Sequence, residues 1–262
     1  FNGGRIRTTD DLDLFGGEDA GTRRVTRAIV YEKGATFDTN GRTVALYAPL
    51  SAPTGMGIKS AKIDESVNTE YGTLVAPVGL QVMDGAGGLD GSLFAEFDLA
   101  THSVTNVRVI SPGSGYTSAP NAVVRIASSS KSGKVTLEME ELVGGGLVKE
   151  GAGTLVLGVA NTYTGDTVVS NGVLKLAADG ALSNPTVKLC GGSLDVSDGI
   201  SYPAGLTLDV SGVPTAKAST LAENWTSDTL PTIVGVADGW RVDKVGTRLR
   251  HHRDIGYLLI VK

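Results

Sequence analysis

The chain has little of what marks several common classes of protein. Among its 262 residues there is one cysteine, Cys190, and aromatic residues make up 5%. A single cysteine excludes a disulfide within the chain, and its expected place is that of a small buried apolar residue. No apolar run reaches the length of about 18 residues that a membrane-spanning helix requires. The sequence therefore predicts neither a disulfide scaffold nor a membrane span in this chain.

The chain also lacks an excess of basic residues. It carries 23 Lys and Arg against 28 Asp and Glu, which gives a net charge of −5. Basic residues concentrate only at Arg23–Arg24 and between Arg248 and Arg253. Because phosphate neutralisation supplies most of the affinity of proteins for nucleic acid, this balance argues against a nucleic-acid partner.

Glycine, by contrast, is abundant, with 36 residues. Between Gly145 and Asp198, short strands of alternating apolar residues recur, with Gly, Asn or Asp at nearly every bend. This pattern is typical of a chain that coils into stacked β-rungs. The sequence therefore predicts an all-β protein containing a β-solenoid, with a core of Val, Leu, Ile and Ala.

Apolar residues come in pairs spaced two apart along these strands. Residues with this spacing share one face of a strand, and that face must meet the core. The pairs are Leu155/Leu157, Leu174/Leu176, Val187/Leu189 and Leu194/Val196.

Short sequence motifs within the same stretch also resemble those of a known family. They are Leu147–Lys149 followed by Gly151–Leu157, then Asn161–Thr167, then Gly172–Leu176. In this order they resemble the passenger-associated repeat of bacterial autotransporters and related surface proteins. The resemblance implies a right-handed parallel β-helix displayed outside a bacterial cell, in which the repeat assists secretion and folding and is not itself catalytic.

The segment before this repeat shows a second part of the resemblance. Residues 1–50 resemble the region that commonly precedes it, through the phrases Asn2–Gly4 and Gly34–Gly41. Asn171–Gly172 has the chemistry of a two-residue hairpin turn. The resemblance instead favours a bend between successive sides of a coil, which the same residue types can form.

Residues 53–140 interrupt the repeat pattern and predict a small inserted β-subdomain. Strands are expected at Val104–Ile110, Val123–Ile126 and Val135–Met139. The phrase Ser111–Pro120, within residues 104–120, resembles a short repeat of phage tail fibres and bacterial surface proteins that closes a small β-module.

The predicted organisation has four parts. A first β-solenoid portion covers residues 1–52, the insert covers 53–140, the repeat solenoid covers 141–212, and loops with capping or docking strands cover 213–262. Residues 213–232 are expected to be loops, followed by a strand at Trp240–Asp243.

An apolar run lies at the end of the sequence. A strand of this kind cannot remain in water, because its backbone groups and side chains both need partners. We expect these residues to make assembly contacts with other copies of the chain: Tyr257, Leu258, Leu259, Ile260 and Val261.

Few residues suggest a metal or cofactor site, and none is predicted. The acidic run Asp10–Asp19 offers carboxylates for calcium, but Phe15 stands where an EF-hand needs an oxygen, so a solvated bend is favoured. His251 and His252 are adjacent and would point to opposite faces of a strand, so they cannot easily share one ion. A solvated turn is the simpler interpretation of that pair.

Catalytic residues are not predicted either. Carbohydrate-acting β-helix enzymes need paired carboxylates on one exposed face. The nearest pairs are Glu138/Glu140, which also fit the wet side of an edge strand, and Asp195/Asp198. Aromatic candidates for sugar stacking are Tyr163, Tyr116, Tyr202, Trp225 and Trp240, although the first two are better placed to pack a bend.

The sequence thus predicts a non-enzymatic structural or adhesive β-solenoid, extracellular or on a bacterial cell surface. Its expected partners are other copies of itself, joined end to end or by strand addition into a fibre, and surface glycans. The alternative is a carbohydrate-binding or carbohydrate-degrading β-helix protein.

Overall fold

The computed structural model describes residues 1–15, 25–64, 79–81, 87–98, 103–125, 132–197 and 199–254. Every regular element in these ranges is a β-strand. The prediction of an all-β chain is confirmed. No helix that could cross a membrane occurs among the residues that the model describes.

The chain divides into two compact units. Unit 1 consists of Phe1–Ala52 together with Gly144–Lys262, and unit 2 consists of Pro53–Val143. Each unit has its own cluster of buried apolar side chains.

Unit 1 is built on two large sheets. Sheet A contains, in spatial order, β1 (Gly4–Arg7), β4 (Ala35–Asp38), β13 (Leu147–Glu150), β15 (Thr167–Val169), β17 (Thr186–Leu189), β19 (Thr207–Asp209) and β21 (Thr232–Val234). Sheet B contains β2 (Leu12–Leu14), β5 (Thr43–Leu46), β14 (Thr154–Leu157), β16 (Val173–Leu176), β18 (Ser193–Val196), β20 (Ser219–Glu223), β23 (Arg248–Arg253) and β22 (Trp240–Val245). A short parallel pair, β3 (Ala28–Ile29) with β6 (Leu50–Ser51), accompanies them.

Within the parallel part of the stack, from β1 to β20, the strands of the two large sheets alternate along the chain, one strand in each sheet. We call a strand of sheet A and the strand of sheet B that follows it a rung. Neighbouring strands of sheet A are parallel throughout, and sheet B is parallel from β2 to β20. Parallel neighbours cannot be joined by a tight hairpin, so the chain returns to each sheet only after visiting the other.

Equivalent side chains of successive rungs lie in register. In sheet B, Val44, Leu155, Leu174 and Leu194 form one buried column. All eight residues of the four predicted apolar pairs are buried, so the face assigned to them is confirmed. The core of unit 1 is the space between the inner faces of sheets A and B.

Asn171–Gly172 joins strands of different sheets. It lies between β15 of sheet A and β16 of sheet B, which do not pair with each other. The predicted bend is therefore confirmed, and a hairpin is not formed. Gly172 has a φ of 70°, and a Cβ there would lie 2.3 Å from the carbonyl oxygen of Gly153 in the rung before, so both the turn and the close stacking require glycine.

Sheet B ends differently from the rest of the stack. β23 pairs antiparallel with β20, and β22 pairs antiparallel with β23. Residues 213–232, which the sequence predicts to be rich in loops, also contain the strand β20, where Leu221 and Ala222 are fully buried. The signal was weak because a register shift between Thr220 and Ala222 breaks the simple alternation of the strand.

Unit 2 is antiparallel. One of its sheets has the order β11 (Ala122–Arg125), β12 (Ser132–Glu141), β7 (Met56–Ile63), and the other has the order β10 (Ser103–Ser114), β9 (Leu89–Asp98), β8 (Gly79–Gln81).

Tyr116 lies at the centre of the unit 2 core. It is 3% exposed and packs with Ile58 and Leu93 in one buried cluster. A Cβ added to Gly88 would lie 2.2 Å from its ring, so glycine is needed for the ring to reach the core. The expectation that Tyr116 packs a bend against the next rung is wrong, because unit 2 consists of antiparallel sheets and has no rungs, and its use as an exposed sugar-stacking residue is wrong as well.

Candidate functional site

A buried lysine occupies an otherwise apolar position inside unit 1. Lys149 lies on β13, between Phe37 of β4 and Val169 of β15 in the parallel register, and its side chain is fully buried. An ammonium group withdrawn from water must find hydrogen-bond acceptors, or its burial is strongly destabilising. The surroundings of its Nζ atom therefore explain why a lysine is tolerated there.

The Lys149 Nζ atom is surrounded by oxygens from three successive bends. It donates to the Glu150 and Gly151 carbonyls of its own rung at 2.8 and 2.7 Å. It also donates to Thr39 Oγ1 of the rung before, at 3.0 Å, and to the Asn171 carbonyl of the rung after, at 3.0 Å. One side chain thus ties together the bends of three rungs. An ammonium has three N–H groups, so at least one of them is shared between two of these acceptors.

The position of Lys149 also changes its acidity. Burial lowers its pKa from 10.5 to about 8, and the nearby Asp38 carboxylate partly opposes this decrease. The group is therefore protonated at neutral pH and titrates well below the range of ordinary lysines.

Asp38 belongs to a charged cluster beside this lysine, on β4. Its carboxylate accepts from Arg5 Nη2 at 2.7 Å and lies 3.4 Å from Arg7 Nε. Burial raises the pKa of Asp38, but the Asn40 N–H and the two guanidinium groups outweigh this effect, and the pKa lies below its ordinary value. Arg5 also pairs with Glu150 at 3.0 Å, so ionic contacts join β1, β4 and β13.

A second polar side chain joins three rungs where the chain passes from sheet B back to sheet A. Asn161 is 6% exposed, and its Oδ1 accepts from the Leu50 N–H at 2.8 Å. Its Nδ2 donates to the Val159 carbonyl at 3.1 Å and to the Ala181 carbonyl of the following rung at 2.7 Å. Asn161 therefore acts on this side of the stack as Lys149 does on the other.

Tyr163 completes this second group. It is 1% exposed, and its hydroxyl lies 2.6 Å from Thr167 Oγ1. Burial raises its pKa to about 12, although the Thr167 bond opposes the change. Ser183 Oγ of the next rung donates to the Tyr163 carbonyl. The expectation that Tyr163 packs a bend against the next rung is confirmed, and it is too buried to stack on a sugar.

We call Lys149, Asn161 and Tyr163 the bend network. Lys149 and Asn161 bond to buried backbone groups of the bends, and Tyr163 bonds to the Thr167 side chain. Backbone groups are costly when buried without partners. The network can fix the spacing and order of the rungs. None of its three side chains is exposed as a nucleophile or an acid–base group would have to be.

The acidic run at Asp10–Asp19 is only partly described, because residues 16–19 lie outside the described ranges. In the described part, Asp10 lies in an exposed bend, as predicted, but Leu12–Leu14 forms β2 and pairs with β5. Phe15 packs against the rings of Phe1 and Phe37. No group of three or more His, Cys, Asp or Glu side chains that could hold a metal ion occurs in the described part of the chain.

The histidine pair lies on β23, so the prediction of a solvated turn is wrong. His251 is 1% exposed and stacks on Trp240 with ring centroids 4.7 Å apart. His252 Nε2 lies 2.8 Å from Asp243 Oδ2 on the neighbouring strand. The two rings have separate surroundings, as expected for adjacent residues of a strand.

The pair Glu138/Glu140 does not have the surroundings of a general acid. Both residues are exposed on β12, beyond the part of this strand that pairs with β11, so within the described residues they have a partner strand only on the β7 side. Glu138 accepts from Lys59 Nζ at 3.0 Å, which holds its pKa below the ordinary value, whereas a general acid needs a raised pKa.

Asp195 also has a structural role. It accepts from Asn224 Nδ2 at 2.7 Å and faces Lys175 Nζ at 3.9 Å on the neighbouring strand. Asp198, its predicted partner, lies outside the described residues.

The remaining aromatic candidates are only partly available. Trp225 is 2% exposed, so its assignment as an exposed residue is wrong. Tyr202 packs on Trp225 at a centroid distance of 4.4 Å, and its hydroxyl accepts from the Thr226 N–H. Trp240 is half-buried against His251. The predicted assembly residues Tyr257, Leu258, Leu259, Ile260 and Val261 lie outside the described residues.

The roles of Lys149 and Asn161 were not predicted from the sequence. Leu147 and Lys149 are two residues apart, so they lie on the same face of their strand. Because Leu147 is apolar, this spacing already places Lys149 on the inner face. A charged residue on the inner face of a predicted strand was the available signal.

Comparison with known proteins gives one match. A family model described as the passenger-associated-transport-repeat matches residues 147–176. No curated protein and no solved structure matches the chain. The resemblance of residues 104–120 to tail-fibre modules is not confirmed by these comparisons and stays a prediction.

The matched segment contains the whole bend network. It begins with β13, which carries Lys149, passes through Asn161 and Tyr163, and ends with β16. The repeat is that of secreted or surface-displayed autotransporter passengers, which indicates a passenger-like surface protein. Over residues 147–176 the chain therefore carries a passenger-associated transport repeat of the autotransporter repeat family.

Proposed function

We propose that this chain is a non-enzymatic structural segment of a bacterial surface passenger, with unit 1 forming a right-handed parallel β-helix. The observation that carries the proposal is the bend network. Lys149 and Asn161 both lie inside the matched repeat, and each of them bonds to three successive rungs. Such bonds hold successive rungs in a fixed order and spacing. A stack whose strands hydrogen-bond their neighbours can be long and stiff without a globular core.

Unit 2 has a different part in this proposal. It is inserted between β6 and β13, so the parallel stack continues on both sides of it in the sequence. In sheet A, β13 pairs directly with β4 although more than a hundred residues separate them. The proposal makes unit 1 the structural element and unit 2 a module available for adhesive contacts, including surface glycans.

Surface display tests the main proposal. In a bacterial host that produces the natural protein, an antibody against unit 1 should label intact cells. Lys149→Met should reduce the amount displayed, because the bends that it joins lose their shared donor. Lys175→Met is the matched control, since Lys175 is a partly exposed lysine on β16 whose nearest carboxylate oxygen is 3.9 Å away. Equal display of both variants would contradict the role given to the network.

A glycan panel tests the absence of catalysis. The expected result is retention or no interaction, without product. Sugar products that disappear in Glu138→Gln or Asp195→Asn would contradict the proposal and favour the carbohydrate-degrading alternative.

Fibre assembly is the finer part of the sequence prediction, and it stays a prediction. If Tyr257–Val261 joins copies of the chain, deletion of residues 255–262 should reduce the size of the assembly in light scattering and electron microscopy. An unchanged size would contradict this mode of assembly.

A further inference from the structure

Among the described residues of unit 1, the strand β21 has one hydrogen-bonding edge without a partner strand. β21 is the last strand of sheet A and pairs with β19; no other strand in the described ranges pairs with it. The Thr232 N–H donates to the Leu206 carbonyl on the β19 side. Because successive N–H groups of a strand point to opposite sides, the Ile233 N–H points to the free side.

The free edge is apolar and uncharged. Residues 229–237 contain no charged residue. Within this stretch the exposed fractions of Leu230, Val234 and Val236 are 42%, 43% and 37%, which is high for large aliphatic side chains. Exposed edges of this kind attract another strand unless charge or cover protects them.

The opposite edge of the same sheet is protected. There β1 presents Arg5 and Arg7, both ion-paired with Asp38. Charged side chains on an edge strand discourage further pairing. The two ends of sheet A therefore differ, and only the β21 end has the character of a docking strand.

Sheet B extends one strand further than sheet A at this end. Both sheets start in the first rung, but sheet A has seven strands and sheet B has eight. The extra strand is β22, which closes sheet B through β23. Counting only the described strands, sheet A therefore has a vacant strand position next to β21, level with β22.

The end of the described chain lies near this vacant position. β22 begins at Trp240, shortly after β21 ends at Val234, and Trp240 pairs directly with Arg253. The Asp254 N–H donates to the Gly239 carbonyl at 2.7 Å. The chain therefore leaves β23 on the side of the stack where β21 ends.

The residues after Arg253 are long enough to reach the vacant position, and their side chains suit an uncharged edge. Residues 254–256 can span at most about 10 Å, which is the usual distance between two packed sheets. They lead to Tyr257–Val261, five residues without charge. A strand that starts where β21 ends runs antiparallel to β21.

We infer that the free edge of β21 is the docking site for the Tyr257–Val261 strand of the same chain. The strand adds antiparallel to β21, covers Val234, and brings sheet A to the same number of strands as sheet B. This inference does not rest on the proposed function. It competes with the prediction that Tyr257–Val261 joins copies, since a segment docked on its own chain is not free for a neighbour.

Cysteine crosslinking identifies the occupant. In a Cys190→Ser background, Val234→Cys is combined with a cysteine at each position from 257 to 261 in turn, and the full-length protein is oxidised at low concentration. A disulfide within the monomer is expected at one position or at alternate positions, because only directly opposed side chains approach closely enough. Arg5→Cys with the same tail cysteines is the matched control and should give none.

The other outcomes overturn the inference. Disulfides that join two chains would show that a second copy supplies the strand. The absence of any disulfide with Val234→Cys, or a disulfide with Arg5→Cys instead, would place the segment elsewhere.

Amide hydrogen exchange gives an independent measurement. In the full-length chain the Ile233 amide should be protected, and deletion of residues 255–262 should abolish that protection. The Val168 amide, within the interior strand β15, should be unaffected. Fast exchange at Ile233 in the full-length chain would overturn the inference.

Discussion

The two units bury polar groups to very different extents. Of the buried polar or charged side chains among the described residues, only Ser114 belongs to unit 2, whereas Asp38, Lys149, Asn161 and others belong to unit 1. The ion pairs of unit 2, such as Lys59–Glu138 and Arg108–Glu96, are exposed.

The cause lies in the direction of the strands. In an antiparallel sheet, neighbouring strands can be joined by short turns that remain in water. In a parallel stack, the bends of successive rungs lie on one another, so some of their backbone groups are withdrawn from water and need a side-chain partner. Buried donors such as Lys149 Nζ and Asn161 Nδ2 meet that need. The comparison teaches that the repeat specifies bends as well as strands.

The largest effect is expected from the core of unit 2. Tyr116→Ala should destabilise unit 2 by about 4 kcal/mol, because it removes a buried ring around which several glycines pack. Both tryptophans, Trp225 and Trp240, belong to unit 1, so their fluorescence reports the unfolding of that unit alone. Hydrogen exchange of β9 and β10 should speed up while the tryptophan transition in urea stays unchanged. A shifted tryptophan transition would show that the two units are thermodynamically coupled.

A smaller but clear effect is expected at the lysine of the bend network. Lys149→Met should lower the free energy of unfolding of unit 1 by about 3 kcal/mol, since buried carbonyls lose their donor. Tryptophan fluorescence during urea unfolding measures this change. Lys175→Met should stay within about 0.5 kcal/mol of the natural sequence. An equal stability of the two variants would mean that the four contacts of Lys149 merely offset the cost of burying its charge.

The asparagine on the other side of the stack should matter somewhat less. Asn161→Ala is expected to cost about 2 kcal/mol, because the Leu50 N–H and the Ala181 carbonyl are left unpaired. The control is Asn106→Ala in unit 2, an exposed asparagine whose loss should change stability by less than about 0.5 kcal/mol. The comparison between the units would fail if both substitutions had the same small effect.

A pH dependence confined to unit 1 is also expected. The pKa of Lys149 is lowered to about 8 in the folded chain, so from about pH 8 to 10.5 the unfolded chain binds more protons than the folded one. The free energy of unfolding should therefore rise with pH across this window relative to the Lys149→Met variant. Urea titrations of both proteins at several pH values measure the difference. A fall with increasing pH would show that the carbonyl contacts hold the ammonium more strongly than burial disfavours it.

Part of this structure could be predicted from particular residues. The spacing of Leu155/Leu157 and Leu174/Leu176 predicted strands with one buried face, and the repeat phrase correctly made Asn171–Gly172 a bend between sheets. β20 could not be predicted because its alternation is broken by a register shift. The burial of Trp225 and His251 depends on strands that are distant in the sequence, so the local pattern suggested exposed residues.

The sequence by itself determined the strand periodicity, the all-β class and the family of residues 147–176, because alternation and turn chemistry are local properties of the chain. Only the tertiary structure decided what the polar residues of the repeat do. Lys149 becomes a shared donor only when the bends at Thr39 and Asn171 are stacked on either side of it. Long-range register creates that arrangement: it joins β4 to β13 across the whole of unit 2, and no local pattern contains that information.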